Sequence, residues 1–251
     1  MSPSETVRES SGKGSEKQRT VAVGLVLVAL GAAVELVDEV LLQGAFQPRV
    51  DPFPLSISNW DAQVFLAING GLANLYLGWF FNIVTRLGST LFMFVLSVLL
   101  YMGGRRREGM LMLASIVFGT LIVLPLKLAV PRPRPYVSIP SAIVFGREAG
   151  SSFPSGHTVR IFAFALVASK LRPRLSLPFY SLACLVAFSR IYTGQHYPLD
   201  ILAGIVIGLL AGYLTVRYED GILKAASELR LPVHSRAPEP LSARPNESSI
   251  A

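Results

Sequence analysis

Three short strings in this 251-residue chain concentrate the side chains that can handle a phosphate: KLAVPRPRP from Lys127 to Pro135, SFPSGH from Ser152 to His157, and SRIYTGQHYPLD from Ser189 to Asp200. Together they supply the cations Lys127, Arg134 and Arg190, a helix start suited to anions, the imidazoles of His157 and His196, and the carboxylate of Asp200. A phosphate ester is an anion near neutral pH, so attack on it requires its charge to be neutralised and its oxygens held. Arginine offers a planar, permanently charged fork for those oxygens, and lysine a point charge. This is a set for phosphoryl transfer.

The spacing adds detail. Pro154-Ser155-Gly156-His157 opens an apolar stretch, with Ser155 as a natural cap and Gly156 letting backbone approach a ligand, so N–H groups with a helix dipole behind them would face an anion. The plainer alternative is an ordinary helix start. His196 and Asp200 stand four apart, one face of a helix, and a carboxylate on one ring nitrogen fixes the tautomer and makes the other a better nucleophile. The plainer alternative there is a polar latch. For Lys127, Arg134 and Arg190 it is a headgroup anchor.

The elements that must position these groups are membrane helices. The chain is 51% hydrophobic and 16% charged, with a positive mean hydropathy, and its polar residues cluster between long uncharged runs instead of recurring periodically as in a soluble core. The runs are Thr20–Val34, Leu87–Gly104, Gly109–Leu126, Ile161–Ser169, Leu175–Ser189 and Ile201–Val216. The fourth reaches spanning length only if its helix begins near Ser155 and carries Arg160 inside it. The fold expected is all-α, a six-transmembrane helical bundle. The proline-rich stretch Gln43–Trp60 reads as a loop, and Asp61–Arg86, broken by Asn69, Gly70 and Gly71, as helices near the interface.

Basic residues fix the orientation. Lys13, Lys17, Arg19, Arg105 to Arg107, Lys170, Arg172, Arg174, Arg217 and Lys224 fall on one side of that bundle, which the positive-inside rule makes cytoplasmic. The three chemical strings fall on the other side, so the site is expected at the extracytoplasmic interface of a plasma-membrane protein with both termini cytoplasmic. The formal charge of +7 then reflects orientation and anionic headgroups, not a nucleic-acid face. Residues 1–19 read as a disordered leader, 20–218 as the membrane domain, and 219–251 as a polar tail with a short surface helix and an inert His234. Glu35, Asp38 and Glu39 stand where a signal-peptide cleavage site would need small residues, which favours a retained first helix. A single cysteine, Cys184, excludes an intrachain disulfide and reads as a small buried hydrophobe.

Lys127, six residues, Arg134-Pro135; then Pro154-Ser155-Gly156-His157; then Ser189-Arg190, five residues, His196, three residues, Asp200: this pattern resembles the three-part signature of the type 2 phosphatidic acid phosphatase superfamily, in its integral membrane branch. The resemblance implies that His196 is the nucleophile that forms a phosphohistidine, with Asp200 orienting it. It implies that His157 protonates the leaving oxygen and then activates water, and that Lys127, Arg134, Ser155, Gly156 and Arg190 bind the phosphoryl group. It implies no metal and no other cofactor. The substrate expected is a lipid phosphate or diphosphate: a polyprenyl diphosphate first, then phosphatidylglycerol phosphate or phosphatidic acid.

An anion transporter or channel would also use intramembrane cations, but here they cluster at one interface with no ladder across. A vanadate-dependent haloperoxidase would share the anion pocket, and the hydropathy opposes that soluble class. Arg160, one turn beyond His157, lies outside the signature and is expected to pair with a carboxylate such as Glu35, Asp38 or Glu148, or to add a cation to the pocket.

Overall fold

The computed structural model describes Ala29, residues 50–148 and residues 150–228. The expected leader, the first apolar run apart from Ala29, and the distal tail lie outside the described residues. The described residues form helices and turns: α1 Leu55–Asn69, α2 Leu75–Val84, a 3-10 turn Thr85–Gly88, α3 Thr90–Met102 and α4 Arg106–Ala129. A single helical turn at Pro135–Ser138 and a long connection lead to α5 Gly156–Leu171, α6 Ser176–Tyr192, α7 Pro198–Arg217 and α8 Glu219–Glu228.

Local chemistry explains the boundaries. Asn74 accepts from Tyr76 and Leu77 N–H to start α2, and Ser89 accepts from Phe92 N–H to start α3. Lys127, Lys170, Arg190 and Arg217 occupy the last turns of α4, α5, α6 and α7, where a cation meets the negative end of the helix dipole. The helix α1 begins at Leu55, inside the stretch read as a loop, because the last proline, Pro54, sits at its N-cap, where a missing N–H removes no helical bond. Asn69, read as a break, ends α1 as a clamp: its side chain donates to the carbonyls of Ile143 and Tyr192 and accepts from Ile143 N–H, each at 2.8 Å. Helix α4 continues through Pro125 to Ala129, so Lys127 belongs to a helix end and not to a loop.

Helix α5 is the axis of the bundle, buried on nearly all sides, with α4, α6 and α7 packed around it. Its closest neighbour is α7. A methyl group on Gly204, Gly208 or Gly212 would lie 3.0 Å from Ser155 O, 2.5 Å from Val159 O and 2.9 Å from Ala163 O respectively. Glycine at every fourth position therefore lets the two backbones touch, the small-residue packing typical of helices in lipid. Three interior hydroxyls are satisfied within their own helices, with Ser97 donating to Met93 O, Ser115 to Met112 O and Thr215 to Ala211 O. The outer faces are apolar: Leu121 and Leu128 on α4 and Leu202 and Val206 on α7 are all more than half exposed. Polar groups satisfied inside with leucine and valine outside mark an integral membrane protein.

Three segments, Arg106–Ala129, Pro173–Tyr192 and Pro198–Arg217, are long and apolar enough to cross a bilayer, and a fourth span exists if the pair Leu75–Gly88 and Thr90–Met102, bent by 53°, counts as one. Six were expected. The first of the six lies outside the described residues. Helix α5, with 16 residues, is about 24 Å long against a hydrocarbon core of about 30 Å, and being sheathed by its neighbours it has no need of lipid on its own flanks. Cys184, expected inside, is exposed on α6, where a weakly polar thiol tolerates an apolar surrounding.

Contacts of Arg172 with Glu108 at 2.7 Å and of Arg107 with Glu219 at 2.5 Å gather the basic clusters at one end of the bundle. The three chemical strings meet at the other. Replacing Gly208 with alanine is expected to destabilise the folded protein by about 1–3 kcal/mol through overpacking. Gly221 of α8 has nothing near its virtual Cβ, so Gly221→Ala should be neutral or stabilising by up to about 1 kcal/mol. Thermal unfolding in detergent checks both, and equal effects would contradict the close packing of α5 and α7.

Candidate active site

The last turn of α4, the connection from Val130 to Ser155, the last turn of α6 and the turn from Thr193 to Tyr197 converge at the site end of the bundle. That last turn requires glycine: Gly194 has φ +79°, and a side chain there would strike Ile143 O at 2.5 Å. His196 follows it, two residues before α7 begins, so it reaches Asp200 by folding back over the helix start and not from within the helix as its spacing suggested.

His196 is buried between opposite partners. Its Nδ1 lies 3.5 Å from both Asp200 Oδ2 and Ser152 Oγ, and its Nε2 lies 3.4 Å from Arg134 Nη1. A guanidinium only donates and a carboxylate only accepts, so the proton belongs on Nδ1 and the lone pair on Nε2. Burial, opposed by the Asp200 hydrogen bond and reinforced by Arg134 and Arg190, pushes the His196 imidazole down to about 3. It is neutral at physiological pH, with its unprotonated Nε2 facing Arg134.

Those cations already hold an anion. Glu148 places Oε1 2.6 Å from Arg190 Nη2 and 4.0 Å from His157 Nδ1, and Oε2 3.2 Å from Arg134 Nη1. Burial alone would raise its carboxyl, but Arg190, His157 and Arg134 hold it well below the usual carboxylate range. Gln195 straps its loop in place, accepting from Glu148 N–H at 3.3 Å and donating to Gly146 O at 2.6 Å. His157 approaches this carboxylate directly, and His196 meets it through Arg134 Nη1, which lies 3.2 Å from Glu148 Oε2 and 3.4 Å from His196 Nε2.

Arg190 is aimed by Thr85, whose hydroxyl accepts from Nη1 at 2.8 Å, and its Nε is buried without a hydrogen-bond acceptor among the described residues. Gly88, in the same turn as Thr85, backs His157: a methyl there would lie 3.3 Å from the ring's Cδ2. Ser155 occupies the N-cap of α5 without capping it, since its hydroxyl accepts from Thr158 Oγ1 at 3.0 Å instead of from a backbone N–H. The first-turn N–H groups are thus not taken by the cap side chain. Lys127 donates to Ser151 O at 2.9 Å. Arg160 donates from Nε to Gly88 O at 3.2 Å, with Nη1 3.1 Å from the virtual Cβ of Gly156, which puts its guanidinium beside the helix start that Gly156 opens.

The sequence strings contain all of the expected residues, and the structure brings His157, His196, Asp200, Arg134 and Arg190 into one cluster, with Lys127, Ser155 and Gly156 at its edge. Missed were Thr85, Asp61, Ser152, Gln195 and above all Arg132. Arg132 is fully buried, with Nη1 2.7 Å from Asp61 Oδ2 and 2.9 Å from Asp200 Oδ1, and Nη2 3.2 Å from Asp51 Oδ2. Its membership in an Arg-Pro-Arg-Pro run was the available signal, but spacing alone cannot say which arginine turns toward a carboxylate.

Glu148→Gln removes the negative charge that the pocket holds, so orthovanadate, a tetrahedral oxyanion, should bind about tenfold more tightly; unchanged binding in a titration would show that Glu148 does not occupy the anion position. The folded value of His196 lies below its unfolded value of about 6.5, so its contribution to stability is complete above about 6.5. That contribution drains as pH falls toward about 3. The thermal midpoint should therefore fall over that interval, and less steeply in His196→Asn.

A sequence profile of the PAP2 superfamily matches residues 108–222, which include every expected site residue. The undecaprenyl-diphosphatase BcrC of Bacillus subtilis is 28% identical over 142 residues, covering 57% of this chain and 71% of that protein. Phosphatidylglycerophosphatase B of the same organism is 31% identical over 156 residues, 55% of this chain and 73% of that protein. The crystal structure of Aquifex aeolicus LpxE superposes with a TM-score of 0.60 at 28% identity, covering 67% of this chain and 99% of that one. On the matched profile, the extent of these relatives and the shared helical fold, this chain belongs to the PAP2 superfamily.

Proposed function

We propose that this PAP2 hydrolase removes phosphate from a membrane lipid through a phosphohistidine on His196. The observation that carries the reading is the gripping of one carboxylate by Arg134, Arg190 and His157 beside the unprotonated Nε2 of a neutral His196. A phosphoryl group in the same place meets the same donors. His196 Nε2 attacks phosphorus, and the P–N bond forms as the P–O bond to the lipid breaks. His157 gives the leaving oxygen a proton, and Asp200 stabilises the positive charge that the imidazole acquires. His157 then takes a proton from water, whose oxygen attacks phosphorus; the P–N bond breaks and inorganic phosphate leaves. Arg134, Arg190, Lys127, the Ser155 hydroxyl and the backbone N–H of Gly156 hold the phosphoryl oxygens throughout, while the Ser155 N–H donates to Asp200 O at 3.2 Å.

The substrate is a lipid phosphate or diphosphate, with a polyprenyl diphosphate as first choice. Relatives named as an undecaprenyl-diphosphatase and a phosphatidylglycerophosphatase support that class. The apolar outer faces beside the site leave acyl or prenyl chains in the bilayer while the headgroup enters. The positive-inside rule supports a site on the extracytoplasmic face of the plasma membrane, with the end bearing Arg105, Arg107 and Arg172 in the cytoplasm.

Purified protein in EDTA should release phosphate from one or more of polyprenyl diphosphate, phosphatidylglycerol phosphate and phosphatidic acid. His196→Ala should lower turnover by about a thousandfold or more, and His157→Ala should abolish steady-state turnover. Turnover that survives in His196→Ala would sink the proposed intermediate.

A further inference from the structure

We infer that Arg132 is a positioning residue for the reaction: held by Asp61 and Asp51, it orients the carboxylate of Asp200 toward the attacking histidine. The inference rests on the reading of His196 as nucleophile. Asp200 is fully buried and its two oxygens have divided duties. Oδ2 accepts from Tyr197 N–H at 2.9 Å and from Ser152 Oγ at 2.5 Å and faces His196. Oδ1 is engaged by Arg132 Nη1 at 2.9 Å. A carboxylate with partners on only one oxygen can rotate about its Cβ–Cγ bond, whereas one gripped at both presents a fixed face.

Arg132 is in turn fixed by its own surroundings. Its guanidinium carbon lies 4.0 Å from the centroid of the Tyr197 ring and 4.9 Å from that of Phe53, and its edge meets Asp61 and Asp51. Asp61 is itself anchored, accepting from Leu199 N–H at 2.9 Å. The backbone closes a ring: Arg132 N–H donates to Ser151 Oγ at 3.1 Å, and Ser152 N–H donates to Arg132 O at 2.8 Å. Ser152 then returns to Asp200 through its hydroxyl. One residue thus joins all three chemical strings, by its backbone to the Ser152 string and by its side chain to the His196 string. Arg132 also compensates the buried charge of Asp200, which would otherwise be left without a cation beside it.

The test compares Arg132→Met, Arg132→Lys and Asp61→Asn with wild type in detergent, reading kcat, KM, the pH profile of kcat and the amount of acid-labile phosphoenzyme. The charged groups facing the His196–Asp200 pair are Arg132 and Arg134 from the segment after α4, Asp51 and Asp61 from the N-terminal side, Glu148, His157 from α5 and Arg190 from α6. Arg132→Met should lower kcat by about 10- to 100-fold with KM changed less than about threefold, displace the limb of the profile set by the pair, and reduce phosphoenzyme. Arg132→Lys should restore only part of kcat, since an ammonium lacks the fork that meets three carboxylates. Should Arg132→Met not fold, Arg132→Lys and Asp61→Asn carry the test, both with lowered kcat and a displaced profile. Wild-type kcat and profile in the folded variants, or a loss confined to KM, would overturn the inference. His196→Ala separates the two claims: if it is inactive while the Arg132 variants behave as wild type, only the positioning role fails, and if it remains active the underlying reading fails.

Discussion

The charges buried deepest at the site end of this protein are held against other charges, and that mutual compensation is what the rest of the site is arranged around. Arg132, Arg134, Arg190, His196, Asp61 and Asp200 are all buried at one end of an apolar bundle, where an isolated ion would be prohibitively desolvated. They survive there as two adjoining clusters. In one, a single guanidinium sits among three carboxylates; in the other, two guanidiniums and His157 surround the carboxylate of Glu148. His196 bridges them, with Asp200 on one side and Arg134 on the other. A polar bundle end of this kind needs rigid walls, and the close contact of α5 with α7 through Gly204, Gly208 and Gly212 provides one.

Much of this was legible in the chain, for identifiable reasons. The apolar runs and the clustering of basic residues predicted helices and their membrane setting, because hydropathy acts on long segments and survives local exceptions. The residues of the three strings were legible because helix starts, cations and imidazoles recur at fixed spacing when they serve one ligand. Arg132 was not, since it stands two residues from Arg134 in an identical Arg-Pro setting and only the fold turns one toward Asp200 and the other toward His196. Thr85 and Asp61 lie more than forty residues from the nearest string, and nothing local distinguishes a threonine that aims an arginine from one that caps a helix. The start of α1 was misplaced because prolines mark a boundary better than they mark its side.

The membrane shapes the site in a second way. A central helix of 16 residues is shorter than α4 and α7, which flank it, so its start meets the ends of longer neighbours. Lys127 and Arg190 then approach it from the last turns of α4 and α6, while α5 and α7 offer their first turns. Helix dipoles of both signs therefore meet at the site, and the positive charges of Lys127 and Arg190 offset the negative ends of α4 and α6, which would otherwise repel an anion.

The tethered carboxylate of Glu148 has a consequence for selectivity. Because the resting pocket is filled by a singly charged group at high effective concentration, an incoming headgroup must offer more than that one charge to displace it. On the proposed reading, a dianionic phosphate monoester or terminal diphosphate meets that requirement, and a singly charged carboxylate, sulfate ester or phosphodiester does not. A membrane crowded with monoanionic lipids would then be sorted by valence at the mouth of the protein, before any bond is broken.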